Sequence, residues 1–218
     1  MALVLQFSAV FMSNAAQAAT KIGIVVFEGV LTSDVTAPIE VFGAATKKSW
    51  FSSYEVVVIS VDKKVITTEE GLKIVADATI KDDLDLDVLI LPSAYDMDPL
   101  LSNKSLINFI KKHGNKASWV GTNCSGSSLL AKSGIADGRK ITTWAGGEKD
   151  LQASFPKVTV LEDINYVVDG KFVTSNGGPV SYEGAYALLA LMSSKENAKE
   201  IAEYMMFNRV NSKSKAIY

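Results

Sequence analysis

The sequence has little cysteine and little histidine, and both shortages limit the chemistry that it can perform. Its 218 residues contain one cysteine, Cys124, and one histidine, His113. One cysteine excludes an intrachain disulfide, and one histidine excludes any site that needs two imidazoles. His113 follows two lysines at the predicted end of a helix, where we expect it to be solvated. Cleavage of an unactivated amide by a Cys-His pair is therefore disfavoured.

The chain also lacks a strong excess of either charge. It has 22 basic and 24 acidic residues, which gives a formal net charge of -2. Without a basic stripe we expect no nucleic-acid partner, and without a Cys/His cluster or further ligands near Asp96 and Asp98 we expect no metal and no cofactor. Hydrophobic residues make up 48% of the sequence, enough for one core, so we expect a single domain over residues 19–218.

The first 18 residues carry no charged side chain and end in Ala16-Gln17-Ala18. Their apolar run is too short to span a bilayer, and the ending is typical of a secretory signal, so we predict cleavage after Ala18. The mature protein is then periplasmic or secreted, with no membrane partner. The run has no Lys or Arg at its start, which leaves an ordinary amino-terminal element and a cytoplasmic protein as the alternative.

Apolar runs alternate with helical patterns along the rest of the chain. Strands are predicted at residues 21–27, 54–60, 86–92 and 158–161, in the run that leads into Cys124, and in hairpins at residues 65–76 and 166–174. Residues 138–144 are predicted to form a short strand followed by a loop. Helices are predicted from residue 35 to 44 behind an Asp34 N-cap with Pro38 in the first turn, from 106 to about 114, and at 126–133, 148–155, 179–192 and 195–208. This order predicts a three-layer α/β/α sandwich with a mostly parallel central sheet.

Cys124 lies in a stretch typical of a nucleophile elbow. Apolar residues lead into a turn of small residues, Gly121, Ser125 and Gly126, and a helical pattern starts directly after it. A thiol at the amino end of a helix has a lowered pKa because the helix dipole favours the thiolate. The alternative is a buried structural cysteine.

Other polar side chains follow strands in the same way. Asp34, the Ser93-Ala94 turn and Trp144 each come after a predicted strand, as Cys124 does. Reactive groups of open α/β sheets gather beyond the carboxyl ends of the strands, so we expect these residues to face one pocket.

These residues suggest a division of labour at that pocket. A Cys124 thiolate adds to an electrophilic carbon, and the N–H groups of Ser125 and of the Ser93-Ala94 turn stabilise the negative charge that develops. Asp34, in its protonated form, donates a hydrogen bond to the sulfur and shuttles a proton.

Two further residues have two interpretations each. Trp144 is either a wall of the pocket or ordinary core packing. Glu183 falls in the first turn of its helix, where it either supports the site from behind or offsets the helix dipole.

Several motifs occur together in one order along the chain. They comprise residues 26–29, 34 with 38–42, 91–92, 121–126 with 129–131, 134–139 with 142–143, and 174–175 through 181–183. This set resembles the ThiJ/PfpI family of the class I glutamine amidotransferase-like superfamily, over residues 21 to about 192. The resemblance implies a flavodoxin-like fold, commonly a homodimer, with a reactive elbow cysteine at Cys124 and an acidic partner at Asp34.

The pattern is similar to the branch that contains isonitrile hydratases and the amino-terminal domains of AraC-type regulators. It departs from relatives in three places. Ser125 stands where PfpI-type proteases have a histidine, Trp144 where glyoxalase-like members have one, and Ser93-Ala94 replaces the usual paired glycines. Protease and glyoxalase activity are therefore disfavoured. The resemblance favours a hydratase- or lyase-like enzyme acting on a small electrophile, with a non-enzymatic ligand or oxidant sensor as the alternative.

Overall fold

The computed structural model describes residues 18–48 and 53–210. Its strands are β1 (Thr20–Val26), β2 (Tyr54–Ser60), β3 (Val65–Thr67), β4 (Lys73–Val75), β5 (Ala78–Thr79), β6 (Val88–Leu91), β7 (Trp119–Asn123), β8 (Lys140–Ile141), β9 (Thr159–Val160), β10 (Tyr166–Asp169) and β11 (Phe172–Ser175). Its helices are α1 (Thr32–Lys48), α2 (Asp98–Ser102), α3 (Lys104–Lys116), α4 (Gly126–Ser133), α5 (Glu148–Ser154), α6 (Ser181–Met192), α7 (Lys195–Tyr204) and α8 (Phe207–Val210).

The central sheet has the strand order β10-β11-β7-β6-β1-β2-β5. Its pairs are parallel except β10 with β11, which are antiparallel. In β1, Ile22 pairs with Val56 on one side and with Val88 on the other, and its side chain is fully buried. Such strands, covered on both faces, have continuous apolar runs, which is why sequence alone located them.

Helices cover both faces of this sheet. Contacts join α1, α6 and α7 into one layer and α2, α3 and α4 into the other, and α4 and α6 both contact β7. The predicted flavodoxin-like three-layer α/β/α fold is confirmed. The carboxyl ends of β1, β6 and β7, neighbours in the sheet, meet at one edge, which brings together the segments that follow them.

Helix α1 starts earlier than the sequence pattern predicted. It begins at Thr32, so Asp34 lies inside the first turn instead of capping it, and Pro38 lies within the helix instead of in its first turn. Both predictions were wrong because local preferences near a helix start tolerate a shift of a few residues.

Helix α3 runs through Gly114, where the sequence predicted its end. A Cβ at Gly114 would lie 2.4 Å from the Cδ1 of Ile135, so close packing explains this glycine. The same helix corrects the expectation of a solvated His113. Its side chain is buried, with 2% exposure, and its ring lies 4.3 Å from that of Phe109. Burial lowers the pKa of His113.

The carboxyl-terminal helical region is more divided than predicted. A 3-10 turn at Gly178–Val180 precedes α6, and the helix predicted over residues 195–208 is interrupted at Met206, which has φ 59°. No helix in residues 18–48 or 53–210 is long and apolar enough to cross a membrane. The predicted signal segment, apart from Ala18, lies outside the described residues.

Candidate functional site

Cys124 occupies a sharp turn between β7, which ends at Asn123, and α4, which begins at Gly126. The predicted strand-turn-helix is therefore confirmed. Cys124 has φ 53°, a left-handed conformation that is uncommon for a residue with a side chain and that recurs at functional sites. Its N–H donates to the carbonyl of Ser175 at 2.9 Å, and its carbonyl accepts from Thr143 Oγ1 at 2.9 Å, so two neighbouring segments hold the turn in place.

Two glycines let the backbone approach this turn closely. A Cβ at Gly126 would lie 2.2 Å from the carbonyl oxygen of Leu91, at the end of β6. A Cβ at Gly177 would lie 2.3 Å from the Cβ of Cys124. Both distances are too short for non-bonded atoms, so the turn is packed against the ends of β6 and β11 only because side chains are absent there.

Asp34 is fully buried next to the turn, and its two carboxylate oxygens have separate partners. Oδ1 accepts from the N–H of Gly178 at 3.0 Å and from Ser181 Oγ at 2.8 Å. Oδ2 accepts from the N–H of Ser93 at 3.2 Å and from Ser93 Oγ at 2.5 Å. The carboxylate thus bridges the segments after β6 and β11. Burial raises the pKa of Asp34, although these four hydrogen bonds favour the ionised form and oppose the rise.

The Cys124 thiol is partly buried and hydrogen bonds with the side chains of Ser93 and Ser125 and with the Ser125 N–H. Burial is the main cause that raises the pKa of this thiol, and the nearby charge of Asp34 raises it further. The hydrogen bonds from Ser93 and Ser125 act in the opposite direction. The predicted lowering of the thiol pKa by the helix amino terminus was therefore wrong, because removing the sulfur from water outweighs the local dipole.

The Ser93-Ala94 turn lies where the sequence placed it, after β6, but its N–H groups already have partners. The Ser93 N–H donates to Asp34, and the Ala94 N–H donates to Met97 Sδ at 3.3 Å. Ser125 Oγ donates to the Ala94 carbonyl at 3.0 Å, which ties the turn to the elbow. The role of these N–H groups in stabilising negative charge stays a prediction. The Ser93 hydroxyl hydrogen bonds with both the acid and the thiol.

Trp144 and Glu183 are less central than the sequence suggested. The Trp144 side chain is 45% exposed and packs on Gly147, where a Cβ would lie 2.3 Å from the indole Nε1, so core packing does not describe it. Glu183 accepts from Asn165 Nδ2 at 3.0 Å and lines a groove with Tyr166. The contact with Asp34 comes instead from Ser181, half a helical turn earlier.

Sequence reasoning missed a polar network beneath the turn. Asn123 Nδ2 donates to the backbone carbonyl of Asp34 at 3.0 Å, and Ser175 Oγ donates to Asn123 Oδ1 at 2.7 Å. Ser181 and Thr143 complete the missed set. All four missed residues are small and polar, and they lie near the end of a strand or at the start of a helix. Such residues are too frequent in sequences for this pattern to identify a site. Within the described residues, no three His, Cys, Asp or Glu side chains are placed to hold a metal.

The fold and the site together define a flavodoxin-like α/β protein with a buried acid beside an elbow cysteine. Comparison with known proteins identifies its family. The model of the DJ-1/PfpI family matches residues 20–191, so the chain belongs to this family and the resemblance seen in the sequence is confirmed. A ThiJ/PfpI family protein from Pseudomonas syringae has a similar structure, with a TM-score of 0.78 and 19% identity, over 99% of this chain and 84% of that one.

Two similar proteins are named for different functions. Isonitrile hydratase from Pseudomonas putida is 28% identical over 160 residues, which cover 73% of this chain and 66% of the hydratase. The HTH-type transcriptional regulator CdhR from Pseudomonas aeruginosa is 24% identical over 154 residues, 70% of this chain and 45% of the regulator. The chain therefore matches slightly less than two thirds of the hydratase and under half of the regulator.

Proposed function

We propose that the protein is a hydratase- or lyase-like enzyme that acts on a small electrophilic substrate, with Cys124 as the nucleophile and Asp34 as the acid. The observation that carries this proposal is the fully buried Asp34 carboxyl, which is held by four hydrogen bonds. One of its partners, Ser93, also hydrogen bonds with the Cys124 thiol. The similarity to isonitrile hydratase supports it. The chain's one histidine is packed against Phe109 in α3, which disfavours Cys-His chemistry.

An isonitrile illustrates the chemistry. The Cys124 sulfur forms a bond to the terminal carbon, and that carbon takes a proton supplied by the acid, which gives a thioimidate. Water then adds to the same carbon, the carbon–sulfur bond breaks, and the sulfur recovers a proton. The net reaction adds one water molecule to the isonitrile and yields a formamide, so no oxidant or reductant is consumed.

Turnover of isonitriles and of small aldehydes by wild type, Cys124→Ala and Asp34→Asn tests the proposal. We expect both variants to lose at least about a hundredfold in kcat/KM, the usual contribution of an acid or nucleophile. Asp137→Asn is the control, because Asp137 pairs with Lys157 at 3.1 Å on the surface. Equal rates in all four proteins would dismiss the enzyme.

The second candidate is a non-enzymatic sensor of a small ligand or an oxidant that uses the same cysteine. The similarity to CdhR, which is named as a regulator, favours it. Burial raises the pKa of the Cys124 thiol, which favours sensing of a ligand over sensing of an oxidant because peroxide reacts with the thiolate. An oxidant sensor forms a reversible sulfenic acid with peroxide and turns over no substrate. Peptide mass spectrometry after peroxide treatment, with and without a thiol reductant, tests the oxidant sensor. Reductant-reversible oxygen on Cys124 without turnover of any substrate supports it, because peroxide also oxidises methionines and the oxygen must be located.

We also propose that the mature protein spans residues 19–218, is exported, and forms a homodimer. The A-x-A ending at Ala18 supports cleavage, and members of the family are commonly dimers. Amino-terminal sequencing of the native protein and light scattering of the purified chain test these points. A native chain that starts at Met1, or a monomeric mass at micromolar concentration, would contradict them respectively.

A further inference from the structure

Ser93 occupies the position between the two groups that the proposed function uses. It is fully buried, its Oγ lies 2.5 Å from Asp34 Oδ2, and the same hydroxyl hydrogen bonds with the Cys124 thiol. The backbone around it is fixed on both sides. Its N–H also donates to Asp34, and the carbonyl of Ala94 accepts from Ser125 Oγ at 3.0 Å.

A serine hydroxyl has one proton, so it cannot donate to both neighbours at once. When Asp34 is ionised, the hydroxyl proton points to Oδ2, and the short distance of 2.5 Å fits a charge-assisted hydrogen bond. When Asp34 carries a proton on Oδ2, that O–H donates to Ser93 Oγ instead. The hydroxyl proton is then free to turn toward sulfur and stabilise a thiolate.

We propose that Ser93 is the proton relay between Asp34 and Cys124, so that the acid and the thiol exchange a proton through its hydroxyl. The proposal rests on the proposed function, which makes Cys124 the nucleophile and Asp34 the acid. It assigns a role to a buried side chain that the proposed function leaves without one.

The transfer balances in atoms and charge. The sulfur–hydrogen bond breaks and its proton passes to Ser93 Oγ, while the original hydroxyl proton passes to Asp34 Oδ2. The serine hydroxyl is restored, and the negative charge has moved from the carboxylate to the sulfur. The site holds one negative charge before and after, so the exchange avoids burying a second one, which both burial and like-charge repulsion oppose.

Ser181 is the matched control for this role. Its hydroxyl also donates to Asp34, at 2.8 Å, and it is also buried, with 1% exposure. It bonds Oδ1, whereas Ser93 bonds Oδ2 and is the one of the two that also contacts the thiol. Replacing either serine removes one hydrogen bond from the acid, but only Ser93→Ala removes the proposed path to sulfur.

The test is the rate of Cys124 alkylation by iodoacetamide as a function of pH. Cys124 is the sole cysteine, so the whole-protein mass reports it alone. The variants are Ser93→Ala and Ser181→Ala, each in the wild-type and the Asp34→Asn background, because the amide NH₂ that Asp34→Asn introduces resembles the protonated acid and frees the Ser93 hydroxyl. Thermal melting confirms that each variant is folded, and Ser93→Thr in the Asp34→Asn background keeps a hydroxyl if alanine disturbs the turn.

We expect Asp34→Asn to alkylate faster than wild type near neutral pH. In that background Ser93→Ala slows alkylation about tenfold, the effect of one pKa unit, while in the wild-type background it changes the rate less than about threefold. Ser181→Ala has no such background dependence, and Ser93→Thr retains most of the faster rate.

An equal effect of Ser93→Ala in both backgrounds would overturn the relay, as would the same background dependence with Ser181→Ala. Turnover of isonitriles and aldehydes is measured separately on the same proteins. If the effect of Ser93→Ala on alkylation depends on the Asp34 background but no substrate is turned over, the enzyme is contradicted and the relay is kept. If turnover requires both Asp34 and Cys124 but the effect of Ser93→Ala is the same in both backgrounds, only the relay is contradicted.

Discussion

Gly177→Ala is the substitution for which the structure gives the clearest expectation. Gly177 has φ 81° and ψ -170°, a region essentially restricted to glycine, and a Cβ there would lie 2.3 Å from Cys124 Cβ and 2.9 Å from its backbone nitrogen. The backbone conformation costs about 1–3 kcal/mol. Overpacking against the elbow adds about 1–3 kcal/mol, because neither contact is a flexible side-chain end.

The neighbouring glycine supplies the control. Gly178 has φ 57°, and a Cβ there meets nothing within 4 Å. Gly178→Ala therefore carries only a left-handed backbone cost of about 1–2 kcal/mol, and the N–H that donates to Asp34 is kept.

Urea unfolding at neutral pH measures both variants. We expect Gly177→Ala to lose about 2–6 kcal/mol of unfolding free energy and to change the alkylation rate of Cys124, because the elbow must shift to admit the methyl group. Gly178→Ala loses less and alkylates at about the wild-type rate. Equal losses in the two variants, or a Gly177→Ala protein with wild-type stability, would refute the idea that close packing against Cys124 fixes the elbow.

Two predictions concern pH. Because the folded-state pKa of His113 is lowered, the unfolded chain binds more protons, and stability falls as pH drops through the unfolded-state pKa of about 6.5. We expect His113→Phe to reduce this loss of stability in urea unfolding measured across that pH range. An unchanged dependence of stability on pH would contradict the prediction. Because the pKa of Asp34 is raised above 3.8, its contribution is present at lower pH and is lost as pH rises through the folded-state value. The stability of wild type relative to Asp34→Asn should therefore decline as pH rises, measured by the same unfolding series, and a rising difference would show that the hydrogen bonds outweigh burial.

The sheet and the elbow were predictable because their signals are local. A strand buried on both faces, such as β1, needs a continuous apolar run, and the small residues around Cys124 fit only a tight turn. The surroundings of Asp34 were not predictable in the same way. An aspartate before a helical pattern is typical of an N-cap. Only the folded chain shows that the segments after β6 and β11 supply the hydrogen-bond partners of Asp34.

The prediction that the thiol pKa is lowered was wrong for a related reason. The effect of a helix amino terminus can be read from the sequence next to Cys124, whereas burial and the charge of Asp34 depend on residues far along the chain. Glu183 lies in the first turn of helix α6, as predicted, but the contact with Asp34 comes from Ser181, because the helix begins only at Ser181 after a 3-10 turn. Small offsets at a helix start change which side chain faces a site.

Raised pKa values for both the acid and the thiol change the expected chemistry of the site. A cysteine with a lowered pKa holds a thiolate at rest, but here burial and mutual repulsion oppose a second negative charge beside Asp34. In the proposed relay, the thiolate is formed by exchanging a proton within the pair instead of releasing it to water. Such an exchange needs a short, dry path between the two groups, and the buried Ser93 hydroxyl is the group placed to provide it. The proposed relay requires no imidazole, which fits a chain whose one histidine is packed in α3.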